Sequence, residues 1–149
     1  MSGESREEAF EEIKADGILI AMIIRSQFTL DATHFFSPND FSQQLGFLSH
    51  REEAKIPAHR HRRVERNVVL TQEVLLVRKG RVRANLYDME SEYLCSRELE
   101  AGDIIFLCQG GHGFDVLEDL EMIEVKQGPY SGRSSDKVLL DEIDDDTGI

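Results

Sequence analysis

A succession of short β-strand patterns between residues 68 and 126 constrains this chain more than any other feature. Glycine turns or polar loops separate the apolar stretches about every eight to twelve residues. The clearest stretch, Arg81–Tyr87, alternates polar and apolar side chains with a period of two, as expected for a strand with one buried face. This repetition predicts an all-β sandwich or barrel. The predicted strands are Val68–Leu70, Glu73–Val77, Arg81–Tyr87, Glu92–Leu99, Ile104–Cys108, Gly113–Leu117 and Leu120–Lys126.

The N-terminal part of the chain gives a more mixed pattern. Residues 1–14 predict a short helix, since Ser5 and Glu8 fit a capping box at its start. A turn at Asp16-Gly17 then leads into an apolar strand, Ile18–Ile24, and a further strand is predicted for Phe41–Ser49. The tail from Asp141 is acidic.

The composition is that of a globular protein with one domain. With 149 residues, 40% of them apolar, the chain is long enough to bury a core. Its longest apolar run, Ile18–Ile24, is too short to span a membrane, and the acidic N-terminus lacks the basic region of a secretory signal. Cys95 and Cys108 do not make a disulfide framework, which indicates free thiols in a reducing compartment. We therefore expect a cytoplasmic protein that has no membrane partner.

The charge is strongly negative but uneven. A net charge of −12 argues against nucleic acid as a partner, because general nucleic-acid affinity needs a basic surface. Residues 51–83, however, contain ten Lys and Arg against four acids, so this window carries +6 and the remainder −18. These cationic side chains have two interpretations. Either they are solvated residues on the outward faces of strands, or some of the arginines pair with a small anionic ligand.

Four side chains suit a metal ion, and three of them lie in this window. His59 and His61 follow Pro57 and would point to the same face of an extended segment. Glu73 opens an otherwise apolar strand, and a buried carboxylate needs a partner, for which a cation is the simplest choice. His112 lies between glycines after another apolar strand. Three imidazoles and one carboxylate suit Fe, Mn, Ni, Zn or Co in the divalent state and leave open coordination positions.

Two alternatives to this ligand set stay open. The histidines can be unrelated surface or hydrogen-bonded residues, which is also how His34 and His50 are interpreted. Glu65 stands closer in sequence to the histidine pair than Glu73 and is the alternative carboxylate ligand.

The pattern resembles the two-motif signature of the cupin superfamily over residues 41–126. The first motif is matched by His59-x-His61 and by Glu73, with six residues between Glu73 and Gly80. The second motif is matched by Gly102-Asp103 and His112. The gap of eleven residues before Glu73 is longer than is usual for the family, but Glu65, at the shorter spacing, has no glycine at the matching distance. The resemblance implies a double-stranded β-helix (jelly-roll) barrel holding one divalent transition metal (Fe, Mn, Ni or Zn). The implied ligands are His59, His61, Glu73 and His112.

This resemblance organises the chain into an acidic segment (1–17), a cupin barrel (18–140, with its motifs in 56–117) and an acidic tail (141–149). The fold hosts many functions, so activity is left open between an isomerase or epimerase, an Fe(II) dioxygenase and a non-catalytic binding or structural protein.

Strand parity places Gln44, Arg63 and Phe114 in the pocket, where Arg63 is the best candidate partner for an anion. The expected ligand is a small anionic or sugar-like molecule. The C-terminal part of the chain is similar to that of small cupins found with surface-polysaccharide pathways. A homodimer is expected, with Ile18–Ile24 either at its interface or inside the chain's own sheet.

Overall fold

A computed structural model describes residues 9–140, which fold as an all-β structure. Every strand pairing is antiparallel. One short helix, α1 (Arg133–Asp136), follows the last strand. The strands are β1 (Phe10–Ala15), β2 (Ile18–Ile24), β3 (His34–Phe35), β4 (Gly46–Phe47), β5 (Glu73–Lys79), β6 (Arg81–Tyr87), β7 (Tyr93–Glu100), β8 (Ile104–Leu107), β9 (Gly111–Val116) and β10 (Glu121–Lys126).

The described strands form three sheets rather than one closed hydrogen-bonded barrel. A five-stranded sheet has the order β1-β2-β8-β5-β10, a three-stranded sheet has the order β7-β6-β9, and β3 pairs with β4. Contacts divide the chain into two compact units, one with residues 9–28 and 71–140 and the other with residues 29–70. The two larger sheets belong to the first unit and the β3-β4 pair to the second.

The core of the first unit lies between its two sheets. Leu75 and Val77 of β5 and the alternating Val82, Ala84 and Leu86 of β6 are buried in one cluster. Because β5 and β6 belong to different sheets, this cluster packs the two sheets face to face. The polar residues of β6 alternate with these and lie on the opposite face of the three-stranded sheet, so the period of two in the sequence reflects one buried face.

The strands predicted for residues 73–126 are confirmed, with ends that shift by up to two residues. β9 begins at Gly111 instead of Gly113, so His112 lies within a strand. The strand predicted for Ile18–Ile24 is also confirmed, as β2. It lies between β1 and β8, paired on both sides, and Ile20–Ile24 are buried within their own unit. This apolar strand therefore belongs to the interior of the chain's own sheet.

Three of the predicted elements are wrong in whole or in part over the described residues. Ala9 is helical, but residues 10–14 of the predicted N-terminal helix belong to β1, because pairing with β2 buries Ile13 and satisfies the backbone of the sheet edge. Only Gly46–Phe47 of the predicted strand Phe41–Ser49 is extended and paired, and residues 68–70 form no strand. Residues 1–8 of the predicted helix and the acidic tail 141–149 lie outside the described residues. No helix in the described part of the chain is long and apolar enough to cross a membrane.

Candidate metal centre

Glu73 opens β5 on the face that forms the core. It shares this face with Leu75 and Val77, and only 5% of the residue is exposed. Its neighbours in register are Leu107 on β8 and Lys126 on β10. A carboxylate so placed loses most of its hydration and needs a compensating partner.

His112 supplies that partner from the opposite sheet. It pairs in register with Leu86 of β6, and directly opposed residues of antiparallel strands point to the same face. His112 therefore points to the core side, as does Phe114, which pairs with Ala84. The turn before β9 uses Gly110 at a φ of +73°, where a Cβ would collide with the carbonyl oxygen of Tyr87.

The two side chains meet across the sandwich. His112 Nε2 lies 3.1 Å from Glu73 Oε2, with the Glu73 side chain 7% exposed and that of His112 32% exposed. The hydrogen bond from His112 lowers the pKa of Glu73 and outweighs the opposing effect of burial. The pair presents one nitrogen and one carboxylate, both ligand types that divalent transition metals accept, at the end of the core from which β5 and β9 start.

Lys126, Tyr130 and Asp136 lie close to this pair, and sequence reasoning singled out neither Lys126 nor Asp136. Lys126 stands beside Glu73 in the β5-β10 register, and its Nζ lies 5.9 Å from the centre of the Tyr130 ring. Asp136 of α1 approaches Lys126 at 3.8 Å and accepts a hydrogen bond from the hydroxyl of Thr71 at 3.4 Å. The sequence signal for Lys126 is a single cation at the end of a strand, and its position next to Glu73 depends on a register that the sequence does not reveal.

The two remaining predicted ligands lie in the second unit. His59 and His61 belong to an exposed stretch without secondary structure, and their rings meet edge to face with centroids 5.3 Å apart. His59 Nδ1 lies 2.9 Å from the carbonyl oxygen of Pro57. Since that oxygen only accepts, Nδ1 carries the proton, and Nε2 keeps its lone pair for a metal ion.

The remaining predicted site residues fall into different environments. Phe114 is half-buried beside His112, with ring centroids 5.8 Å apart. Arg63 and the alternative ligand Glu65 are exposed, so neither has the burial that makes Glu73 require a partner. The Gln44 side chain is hydrogen-bonded within its own loop, where its amide donates to the carbonyl oxygens of Pro38 and Phe41, each at 2.8 Å. A ligand that uses Gln44 has to compete with these local bonds.

The remaining residues that carry the family resemblance have definite structural roles. Gly80, between β5 and β6, has a φ of +83°, and a Cβ there would collide with the backbone of Asp119. Gly102 has a φ of +94° and precedes Asp103, which is 2% exposed. The Asp103 carboxylate accepts hydrogen bonds from Arg25 and from the backbone N–H groups of Ser26 and Glu100, at 2.9–3.0 Å. These residues build turns.

The four predicted ligands thus occur as two pairs, Glu73 with His112 and His59 with His61, one pair in each unit. Within residues 9–140, no three His, Cys, Asp or Glu side chains are grouped closely enough to hold a metal ion. The donor chemistry of both pairs nevertheless fits a divalent transition metal. Cys108 offers no alternative, because burial, and then the charge of Glu12, raises the pKa of its thiol to about 12.

A polar cleft lies at the far end of the β5-β6 hairpin in the first unit. It is lined by Arg25, Arg81, Glu98 and Asp103, among others. Its arginines are already paired: Arg81 contacts Glu98 and Glu118, and Arg25 contacts Asp103. Glu73 and this end of the hairpin are at opposite ends of β5, a strand of seven residues that spans about 20 Å. The cleft is therefore distinct from the metal-centre candidate and consists of satisfied ion pairs.

No protein-family model, curated protein or solved structure matches this chain.

Proposed function

We propose that this chain is a metal-binding cupin of the jelly-roll type, in which His59, His61, Glu73 and His112 ligate one divalent transition metal. The observation that carries the proposal is the buried Glu73 carboxylate, 3.1 Å from His112 Nε2, on the facing core sides of two sheets. The spacing of the sequence motifs, rather than a measured distance, assigns His59 and His61 to the same ion.

Two further observations support this ligand set. The contact of His59 Nδ1 with the Pro57 carbonyl fixes the tautomer that coordinates through Nε2, an arrangement common among metal-bound histidines. The hydrogen bond from His112 lowers the pKa of the buried Glu73 carboxylate, so it is ionised at neutral pH, which is the form that binds a cation. Glu65 is exposed and lacks the burial of Glu73.

The ligand that we propose is a small anionic or sugar-like molecule. A bound ion with open positions would supply Lewis acidity to an oxygen of that molecule. His112 and Glu73 orient the site from two sheets, and Phe114 contributes an apolar wall beside His112. Metal-dependent isomerisation or epimerisation, oxygenation, and binding without turnover all use such a site, and metal identity separates them. Iron favours the dioxygenase, whereas manganese, nickel or zinc favours isomerisation or simple binding.

Elemental analysis by mass spectrometry tests the proposal on protein purified without a histidine tag or added metal. Near-stoichiometric Fe, Mn, Ni or Zn is expected in the wild type. His59→Ala and Glu73→Gln should lose the metal, while Glu65→Gln, the matched exposed carboxylate, should retain it. Loss in Glu65→Gln alone would show that the carboxylate assignment is wrong. If the wild-type protein stays metal-free even after reconstitution, the metal proposal is wrong. The chain is then a structural protein or binds its ligand without a metal.

A further inference from the structure

We infer that Lys126 is the anchor for an oxyanion group of the ligand, a carboxylate or a phosphate, at the Glu73–His112 end of the sandwich. This inference rests on the proposed function for the identity of the site. It assigns to Lys126 the role that sequence parity gave to Arg63, which is exposed in the other unit.

The register of two strands sets the position of Lys126. Lys126 is the last residue of β10, and it pairs with Glu73, the first residue of β5. Because directly opposed residues share a face, the lysine points to the same side of the sheet as the carboxylate. Its side chain is 24% exposed, which leaves the ammonium group partly accessible to a ligand from solvent.

The present partner of Lys126 is weakly held. Its ammonium lies 3.8 Å from the carboxylate of Asp136, beyond the range of 2.7–3.2 Å in which N–H groups form good hydrogen bonds. Glu73, meanwhile, already has a direct partner in His112 at 3.1 Å. Lys126 therefore completes no short ion pair in the described chain, and its charge is available to a second oxyanion.

Asp136 occupies the position that this oxyanion would take. It lies on α1, a helix of four residues, and it also accepts a long hydrogen bond of 3.4 Å from Thr71. A ligand carboxylate or phosphate that reaches Lys126 at normal hydrogen-bond distance would replace a longer contact with a shorter one. Asp136 thus competes with the ligand, and removing its charge should strengthen anion binding.

The surrounding groups favour a small anion at this point. Lys137 adds a second positive charge, since it and Lys126 both act electrostatically on Glu73. The Tyr130 ring, 72% exposed, lies beside the ammonium and offers an apolar surface to the carbon skeleton of a ligand. An oxyanion at Lys126 would place the rest of a small molecule close to Glu73 and His112.

NMR titration of ¹⁵N-labelled protein with inorganic phosphate and with acetate tests the inference, on both metal-free and zinc-loaded samples. Lys126→Gln should weaken the tighter-bound anion about tenfold or more, as expected when a charge-assisted hydrogen bond is lost. Lys126→Arg should restore most of the affinity, and Asp136→Asn should tighten binding severalfold. Lys79→Gln, at the far end of β5, makes the same change in net charge and should leave the affinity within twofold of the wild type.

The two anions identify the source of the oxyanion. Tighter phosphate binding that depends on Lys126 indicates a phosphorylated ligand, and tighter acetate binding with the same dependence indicates a carboxylic acid. Equal losses in Lys126→Gln and Lys79→Gln, weaker binding in Asp136→Asn, or no binding of either anion to the wild type would overturn the inference. Metal content is measured on the same protein after separate reconstitution with iron, manganese, nickel and zinc. Failure to bind any of the four metals, with an intact Lys126 dependence, refutes the metal proposal alone.

Discussion

His112 Nε2 lies 3.1 Å from Glu73 Oε2, and this contact joins β9 of the three-stranded sheet to β5 of the five-stranded sheet. The two residues stand on facing core surfaces, although they are far apart in sequence. The same geometry that closes one end of the apolar core also brings together two ligand types for a transition metal. Stability, and under the proposed function metal binding as well, therefore depend on the same pair.

Acid should destabilise the metal-free protein partly through Glu73. Its pKa is lowered in the folded state, chiefly by the hydrogen bond from His112, so the unfolded chain binds the proton more readily. The stabilisation is present above the usual glutamate pKa of about 4.3 and is lost as pH falls through the lower folded pKa. Urea unfolding of EDTA-treated protein between pH 3 and 6 should show a shallower pH dependence in Glu73→Gln. Glu65→Gln should keep the wild-type slope, and equal slopes in all three proteins would contradict this account.

Asp103 should be among the most costly polar residues to remove. Its buried carboxylate accepts hydrogen bonds from Arg25 and from two backbone N–H groups, and all three bonds are lost in Asp103→Ala. We expect a loss of about 3–5 kcal/mol in the free energy of unfolding, the range for breaking a buried charged pair. Asp119→Asn, in an exposed turn, serves as the control and should stay within about 0.5 kcal/mol. A loss below about 1 kcal/mol in Asp103→Ala would show that this turn does not depend on the carboxylate.

Gly80 and Gly17 form a matched pair for testing backbone crowding. Both have a positive φ, +83° and +77°, but a Cβ at Gly80 would meet the Asp119 backbone, whereas one at Gly17 would meet nothing within 4 Å. Gly17→Ala should therefore cost only the left-handed penalty of about 1–2 kcal/mol. Gly80→Ala should cost clearly more in the same denaturation experiment, because backbone atoms must shift. Similar losses for the two variants would exclude the predicted collision.

The two thiols should differ in reactivity. Cys108 is buried and its pKa is raised to about 12, so at pH 8 it remains protonated and shielded, while Cys95 is only half-buried. Mass spectrometry after iodoacetamide treatment of native protein should find one label, on Cys95. In Cys95→Ser the native protein should take none and the urea-unfolded protein one. Native labelling of Cys108 would mean that β8 opens readily.

The sequence predicts the strands from Glu73 to Lys126 well because each buries one face and ends at a glycine or polar turn. Arg81–Tyr87 is predicted to the residue, since its alternation follows directly from the buried Val82, Ala84 and Leu86. β1 is missed for the opposite reason. It is an edge strand in which Glu11, Glu12 and Lys14 contribute charge, and the spacing of Phe10 and Ile13 equally fits a helical turn.

The residues of the candidate site also divide into those that the sequence identifies and those that it does not. Glu73 and His112 could be selected because both are unusual residues at the ends of apolar strands, and the structure pairs them. Lys126 could not be selected, because its position beside Glu73 depends on the register between β5 and β10. Nor does the sequence show that the amide of Gln44 is engaged by its own loop.

X-ray absorption spectroscopy at the zinc edge, on stoichiometrically loaded protein, tests the central claim most directly. Imidazole rings give a distinct outer-shell signal, so the spectrum counts histidine ligands. The account predicts three imidazoles with the remaining ligands oxygen at about 2.0–2.2 Å, and two imidazoles in His112→Ala. A spectrum with one imidazole or none, or with a sulfur ligand at about 2.3 Å, would contradict the assignment of His59, His61, Glu73 and His112 to one ion.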